Sequence, residues 1–171
     1  MIAEQLNAIM QRELRSLKRE LKAYSDEADI WQEPGGISNS AGTLTLHVLG
    51  NLQHFVGAIL GATGYQRDRQ AEFERRNTPR AELLEEIDRT LQVVGATLAS
   101  LETGSLTAQF PVPFGETSVT TGDFLIHLTT HLAFHLGQID YHRRLVSGQN
   151  ESIGPLAIPE LHSAGSAPSG S

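Results

Sequence analysis

Residues 120–146 read TTGDFLIHLTTHLAFHLGQIDYHRRLV, and this stretch decides the fold. Thr120-Thr121-Gly122-Asp123 matches a capping box, a hydroxyl followed three residues later by an acidic side chain, ahead of an apolar run. The spacing predicts a helix running to about Val146. Four histidines lie on it: His127, His131, His135 and His142. At about 100° per residue they fall within about 80° of one another, so they share a face. His131 and His135 are one turn apart, which lets two imidazoles converge on one point. Arg143-Arg144, at the far end, suits the negative pole of the helix dipole.

Upstream, Thr78-Pro79 opens another helix, with Thr78 as N-cap and Pro79 at the first helical position, where its missing N–H costs nothing. Leu84, Ile87, Leu91, Val94, Leu98 and Leu101 follow in a 3-4-3-4-3 rhythm. This is the cleanest helical signal in the chain. Before it, Asn39 or Ser40 caps a helix reaching to about Ala62 that is apolar almost all round, from Leu44 to Leu60, and so predicts deep burial. Gly57 and Gly61, four residues apart on it, permit a close helix contact. A stripe from Ile2 to Tyr24 marks the first helix, over residues 2–28, stopped by Pro34-Gly35-Gly36.

The connection Gly64–Asn77 is charged, and the polar loop 102–119 contains Pro111, Pro113 and an expected extended stretch at Glu116–Val119. After Ser147, Gly, Pro and Ser dominate, so residues 149–171 read as a disordered tail. Residues 1–148 then form one all-α domain, a four-helix bundle.

The composition narrows the function. The chain has 171 residues, 13 Lys+Arg against 20 Asp+Glu, a net charge of −7, seven His and no Cys. An acidic chain lacks the basic face that a nucleic-acid binder needs. No stretch approaches the ~20 apolar residues of a membrane span, and the polar N-terminus has no apolar signal region. We therefore expect a cytoplasmic protein without nucleic-acid or membrane partners. Zero Cys removes disulfides, thiolate nucleophiles and Cys-type zinc sites together.

Six of the seven His fall on the second and fourth helices, His47 and His54 on the former. His131 and His135 supply two nitrogen donors, and one more from a neighbouring helix would complete a three-histidine metal site with a vacant position. His47 suits that role, because an unpaired imidazole in Leu44-Thr45-Leu46-His47-Val48-Leu49 would be costly to bury. The competing reading makes His47 a core histidine bonded to a backbone carbonyl. His127 is a fourth ligand, a supporting donor or a proton acceptor. His54 and His142 read most simply as solvated or rim-facing, and His162 lies in the tail. Arg67, Arg69 and Glu72 read as a salt-bridged, loop-ordering cluster, with an anchor for an anionic substrate as the alternative. Glu-x-x-His pairs, His-Glu-x-x-His, a phosphate loop and a Gly-x-Ser-x-Gly elbow are all absent.

Three ordered segments carry a resemblance. Ser40-Ala41-Gly42-Thr43-Leu44-Thr45-Leu46-His47-Val48-Leu49-Gly50-Asn51-Leu52, Arg67-Asp68-Arg69-x-x-Glu72-Phe73 and His131-x-x-x-His135-Leu136-Gly137-Gln138-Ile139 are similar to the DinB-like superfamily, over roughly residues 5–148. The resemblance implies an up-down-down-up four-helix bundle, often dimeric, with His47, His131 and His135 on a divalent metal, commonly zinc or nickel. Within the motifs, Asn51 and Gln138 join His127 as supporting or alternative ligands. Related members are transferases or isomerases that use low-molecular-weight thiols such as bacillithiol, mycothiol or glutathione.

The resemblance thus implies a homodimeric enzyme that adds a thiol cosubstrate to an electrophilic small-molecule substrate. Two alternatives stay open: a metal-dependent hydrolase, and a non-catalytic metal or small-ligand binding protein with a stress role. With no Cys in the chain, any reacting sulfur arrives on a cosubstrate.

Overall fold

Side-chain caps set where the helices begin. Ser40 Oγ accepts the Thr43 N–H at 3.1 Å and starts α2 (Ala41–Leu52), and Thr120 Oγ1 accepts the Asp123 N–H at 3.2 Å and starts α5 (Thr121–Ser147). Each cap satisfies a backbone donor that the helix itself leaves free. The structure, a computed structural model, describes residues 2–102, 104–154 and 156–166. Besides α2 and α5 it contains α1 (Ile2–Ala23), a short α3 (Arg69–Glu74) and α4 (Arg80–Ser100). No strand occurs among the described residues; the loop between α4 and α5 has only isolated bridges, Gln109 with Thr120 and Phe114 with Thr117.

Cross-helix contacts give the topology. The four long helices pair so that α1 touches α4 and α5, and α2 touches the same two from the other side. Lys18 meets Asp88 while Gln11 reaches the Leu91 carbonyl, so α1 and α4 run antiparallel. Gln53 meets Thr90 and Gly57 faces Val93, so α2 and α4 run parallel. His47 meets His131 while Phe55 meets Phe124, which makes α2 and α5 antiparallel. The order is therefore up-down-down-up, with Leu14, Leu17, Val48, Leu49, Ile87, Val94, Leu128 and Ile139 in the shared core.

Beyond Leu52, α2 widens into a π-helical segment over Gln53–Leu60, closed by the Gly61 N–H on the Val56 carbonyl at 2.9 Å. A Cβ at Gly57 would lie 2.8 Å from Val93 Cγ1, and one at Gly61 would run into Thr97. These glycines are the notch in which α4 lies.

Some sequence expectations need correcting. The first helix stops at Ala23 rather than near residue 28; Asp26 then caps a separate 3₁₀ turn, Glu27–Trp31, which buries Ile30 and Trp31. Thr78 does not cap α4. Pro79 sits at the N-cap, and the Glu27 carboxylate accepts the Arg80 N–H at 2.9 Å from across the fold. The buried stripe of α4 is Leu83, Ile87, Thr90, Val94, Thr97 and Leu98; Leu84 and Leu91 are only half-buried. Thr90 and Thr97 thus take places on the buried face that a count of aliphatic residues misses.

Arg143 does far more than meet the dipole. It is buried and donates to Glu20 Oε2 at 2.5 Å and to Asp140 Oδ1 at 3.2 Å. Burial, more than the neighbouring Arg143 offsets, pushes the Glu20 carboxyl up to about 7. In the segment expected to be a tail, residues 158–160 form a 3₁₀ turn from which Glu160 meets Arg15 at 2.8 Å. Residues 155 and 167–171 of that segment lie outside the described residues.

Candidate metal centre

The antiparallel packing of α2 on α5 brings His47 against His131 and His135. His47 sits on the part of α2 that is buried on every side, and the other two are half-buried on facing turns of α5. His131 Nε2 lies 3.3 Å from His47 Nε2 and 3.1 Å from His135 Nε2. Nitrogens at the corners of a tetrahedral zinc site, each about 2.0–2.1 Å from the metal, are about 3.3 Å apart. Both of these separations match that edge, and one nitrogen from each of the three imidazoles lies within 4.8 Å of the other two.

The outer nitrogens fix which lone pairs face inward. His47 Nδ1 is 3.0 Å from Glu72 Oε2. A carboxylate only accepts, so Nδ1 carries the proton and Nε2 presents a lone pair to the centre. Gln138 Oε1, 2.7 Å from His135 Nδ1, orients that ring in the same sense. Glu72 is in turn held by Arg67, which donates to both its oxygens at 2.7 and 2.9 Å. Burial alone would raise the Glu72 carboxyl, but the hydrogen bonds from Arg67 and His47 outweigh it and hold the group below its ordinary range.

The inner rings are kept neutral as well. Burial first, then the neighbouring His135, His47, His127 and Arg67, push His131 down to about 4. Burial also lowers His135, against the opposing bond from Gln138. Neutral imidazoles are the form that binds a metal, so ligand and proton do not compete near neutral pH. Lone pairs from His47 and His135 converge on His131 Nε2, whose single proton can satisfy only one of them. A cation satisfies all three.

The remaining candidates fall outside this cluster. His127 is exposed, with its ring centre 6.1 Å from that of His131 and 5.8 Å from Phe124. Asn51, one turn beyond His47, has its Oδ1 buried without a hydrogen-bond partner. His54 is half-buried against Phe55, and its Nδ1 is buried without a partner. His142 is not rim-facing: it is buried, 2.6 Å from the Tyr24 hydroxyl and 2.8 Å from the Gln32 carbonyl. The Gln32 carbonyl takes its Nε2 proton and Tyr24 donates to Nδ1, so both nitrogens are spent on holding α1, α5 and the 3₁₀ turn together.

Sequence reasoning saw Arg67 and Glu72 as a loop-ordering pair and missed that Glu72 reaches His47. Gly50, three residues after His47, makes room for that approach, since a Cβ there would run into the Glu72 carboxylate. Arg69 takes no part and lies over the Phe73 ring. Beside the centre, Phe55, Phe110, Phe114 and Phe124 form an aromatic wall that continues through His127 to His131. Among the described residues, no helix is long and apolar enough to cross a membrane.

A family model described as the DinB superfamily matches residues 8–139. No curated protein and no solved structure gives a significant match.

Proposed function

The chain belongs to the DinB superfamily, and on that premise we propose that it is a metal-dependent transferase joining a low-molecular-weight thiol to an electrophilic small molecule. His47, His131 and His135 hold the metal, zinc or nickel. The observation that carries this reading is the convergence of their Nε2 atoms at 3.1 and 3.3 Å, with the outer nitrogens of His47 and His135 tied to Glu72 and Gln138. A divalent cation bound there supplies Lewis acidity, bringing the pKa of a thiol that reaches it towards neutrality.

The protein residues do the rest. His127, exposed one ring beyond His131, takes the thiol proton. The aromatic wall of Phe55 and Phe124 orients the apolar body of the electrophile and keeps water from it. Sulfur contributes its electron pair to the new C–S bond, and the leaving group departs with the pair of the bond that breaks. Arg67, tied to Glu72 and lying 5.7 Å from the Phe55 ring centre, holds the carboxylate that orients His47.

Two other readings are a hydrolase, in which water replaces the thiol, and a non-catalytic metal-binding protein. The latter is favoured by one observation: Glu72, the carboxylate at the centre, is already committed to Arg67 and His47. Incubating metal-loaded protein with an electrophilic test substrate and a panel of thiols separates the three. Metal-dependent conjugation supports the transferase; turnover without thiol indicates the hydrolase; neither leaves the binding protein.

A further inference from the structure

We propose that the cavity between the loop before α2 and the end of α5 binds a neutral, largely apolar small molecule, whose hydrogen-bond acceptor meets the Gln138 amide and thereby tightens the metal centre. The cavity has a volume of about 440 Å³, within the range that holds small-molecule ligands. Leu44 contributes a buried side chain to it, while Ile37, Tyr141 and Leu145 stand around it 39, 77 and 61% exposed. Exposed apolar side chains scattered singly are ordinary. Three of them around one concavity make a patch of the kind that a ligand covers.

The chemistry of the lining sets the class of ligand. Among the described residues, no Lys, Arg, Asp or Glu lines the cavity. A charged ligand would lose its hydration there with no counter-ion to replace it. His142 adds ring surface only, because Tyr24 and the Gln32 carbonyl take both its nitrogens. The polar groups that remain are neutral. Among the described residues, the side chains of Ser38 and Asn39 bond only to each other, at 3.4 Å.

Gln138, on the same wall, is the point of attachment. Its Oε1 accepts from His135 Nδ1 at 2.7 Å, so its Nε2 is turned away from that ring and has no partner among the described residues. With the amide reversed, Gln138 would donate to His135 Nδ1 and leave the proton on His135 Nε2, the nitrogen that faces His131. A ligand acceptor held by the Gln138 Nε2 favours the first orientation. It therefore favours the tautomer in which His135 presents a lone pair to a metal. By linkage, a metal on His135 tightens the ligand by the same factor. This coupling rests on the metal reading above, whereas the binding site itself does not.

Equilibrium dialysis of the metal-free protein against 2-acetylnaphthalene and 2-ethylnaphthalene tests the site. The two share one apolar body, and only the ketone carries an acceptor. Wild type should bind the ketone about five-fold more tightly than the hydrocarbon, the worth of one neutral hydrogen bond. Gln138→Leu should bind the two equally, because only the donor is lost. Leu145→Glu places a charge in the lining and should weaken both roughly ten-fold or more. That side chain is exposed, so helical circular dichroism should be unchanged. Zinc-loaded wild type should hold the ketone about five-fold more tightly again, the lower end of ordinary coupling between sites, and Gln138→Leu should show no such gain. No binding of either naphthalene, equal binding of both by wild type, a ketone preference that persists in Gln138→Leu, or binding unmoved by Leu145→Glu would overturn the proposal. Zinc uptake without a gain for the ketone would overturn the coupling. Absence of zinc uptake would overturn the metal reading instead, and the metal-free measurements still decide the cavity.

Discussion

Replacing Glu72 by Gln perturbs the candidate centre without touching a ligand. The amide keeps the size of the side chain and can still accept from His47 Nδ1 across the 3.0 Å contact, but the negative charge is gone. His47 becomes a weaker donor, and its ring is less firmly held. Removing such a supporting partner typically lowers metal affinity 10–100-fold, about 1.4–2.8 kcal/mol. A further effect runs through Arg67, whose side chain is 13% exposed and loses its counter-ion. Removing one partner of a fully buried pair costs about 3–5 kcal/mol, so a loss of roughly 1–3 kcal/mol is expected for this partly exposed one. The two effects separate experimentally. Thermal melting of the metal-free protein reads the Arg67 effect, and chelator competition on the folded protein at neutral pH reads the affinity. The reasoning is refuted if Glu72→Gln holds metal within two-fold of wild type while circular dichroism shows the fold intact.

Gln138→Leu, which removes the acceptor from His135 Nδ1, should weaken metal binding in the same assay by a smaller factor, because a neutral amide polarises the ring less than a carboxylate does. Acidification should remove the contribution of His131 to the stability of the metal-free protein. His131 binds a proton near 6.5 when unfolded but only near 4 when folded, so its contribution is fully present above pH 6.5 and is lost as pH falls towards 4. Glu20, pushed up to about 7, works in the opposite direction over much of that window, so chemical denaturation reads the His131 effect as a difference. The stability of wild type relative to His131→Gln should rise with pH between about 4 and 6.5, and a difference that stays flat would contradict the assignment. Glu20→Ala leaves the buried Arg143 with Asp140 as its remaining carboxylate partner and should cost about 1–3 kcal/mol, less than a fully unpaired buried charge, read as a lower denaturation midpoint. Gly57→Leu forces a side chain into Val93 and should lose about 1–3 kcal/mol in the same measurement.

The helices were legible where local chemistry sets them. Ser40 and Thr120 cap α2 and α5 through their own hydroxyls, and a cap is a short-range pattern. The start of α4 was misread because its first N–H is satisfied by Glu27, 53 residues away, and a one-dimensional pattern carries no trace of that partner. His131 and His135 could be paired from spacing alone, since one helix holds both. His47 was a candidate by chemistry, as a polar ring in an apolar stretch, but its meeting with the other two depends on the antiparallel crossing of α2 and α5. Glu72 and His142 mark the boundary. Glu72 stood out within a charge cluster, with its target hidden by the fold. His142 resembled a rim residue because nothing in its sequence neighbours announces Tyr24, 118 residues earlier.

The central claim is that three imidazoles from two helices form one metal centre. Elemental analysis of the untagged protein, wild type beside His47→Ala and His131→Ala, tests it most directly. The account predicts one divalent ion per chain in the wild type, and loss of that ion in both variants at unchanged helix content. A wild type without stoichiometric metal, or variants that retain full occupancy, would contradict it.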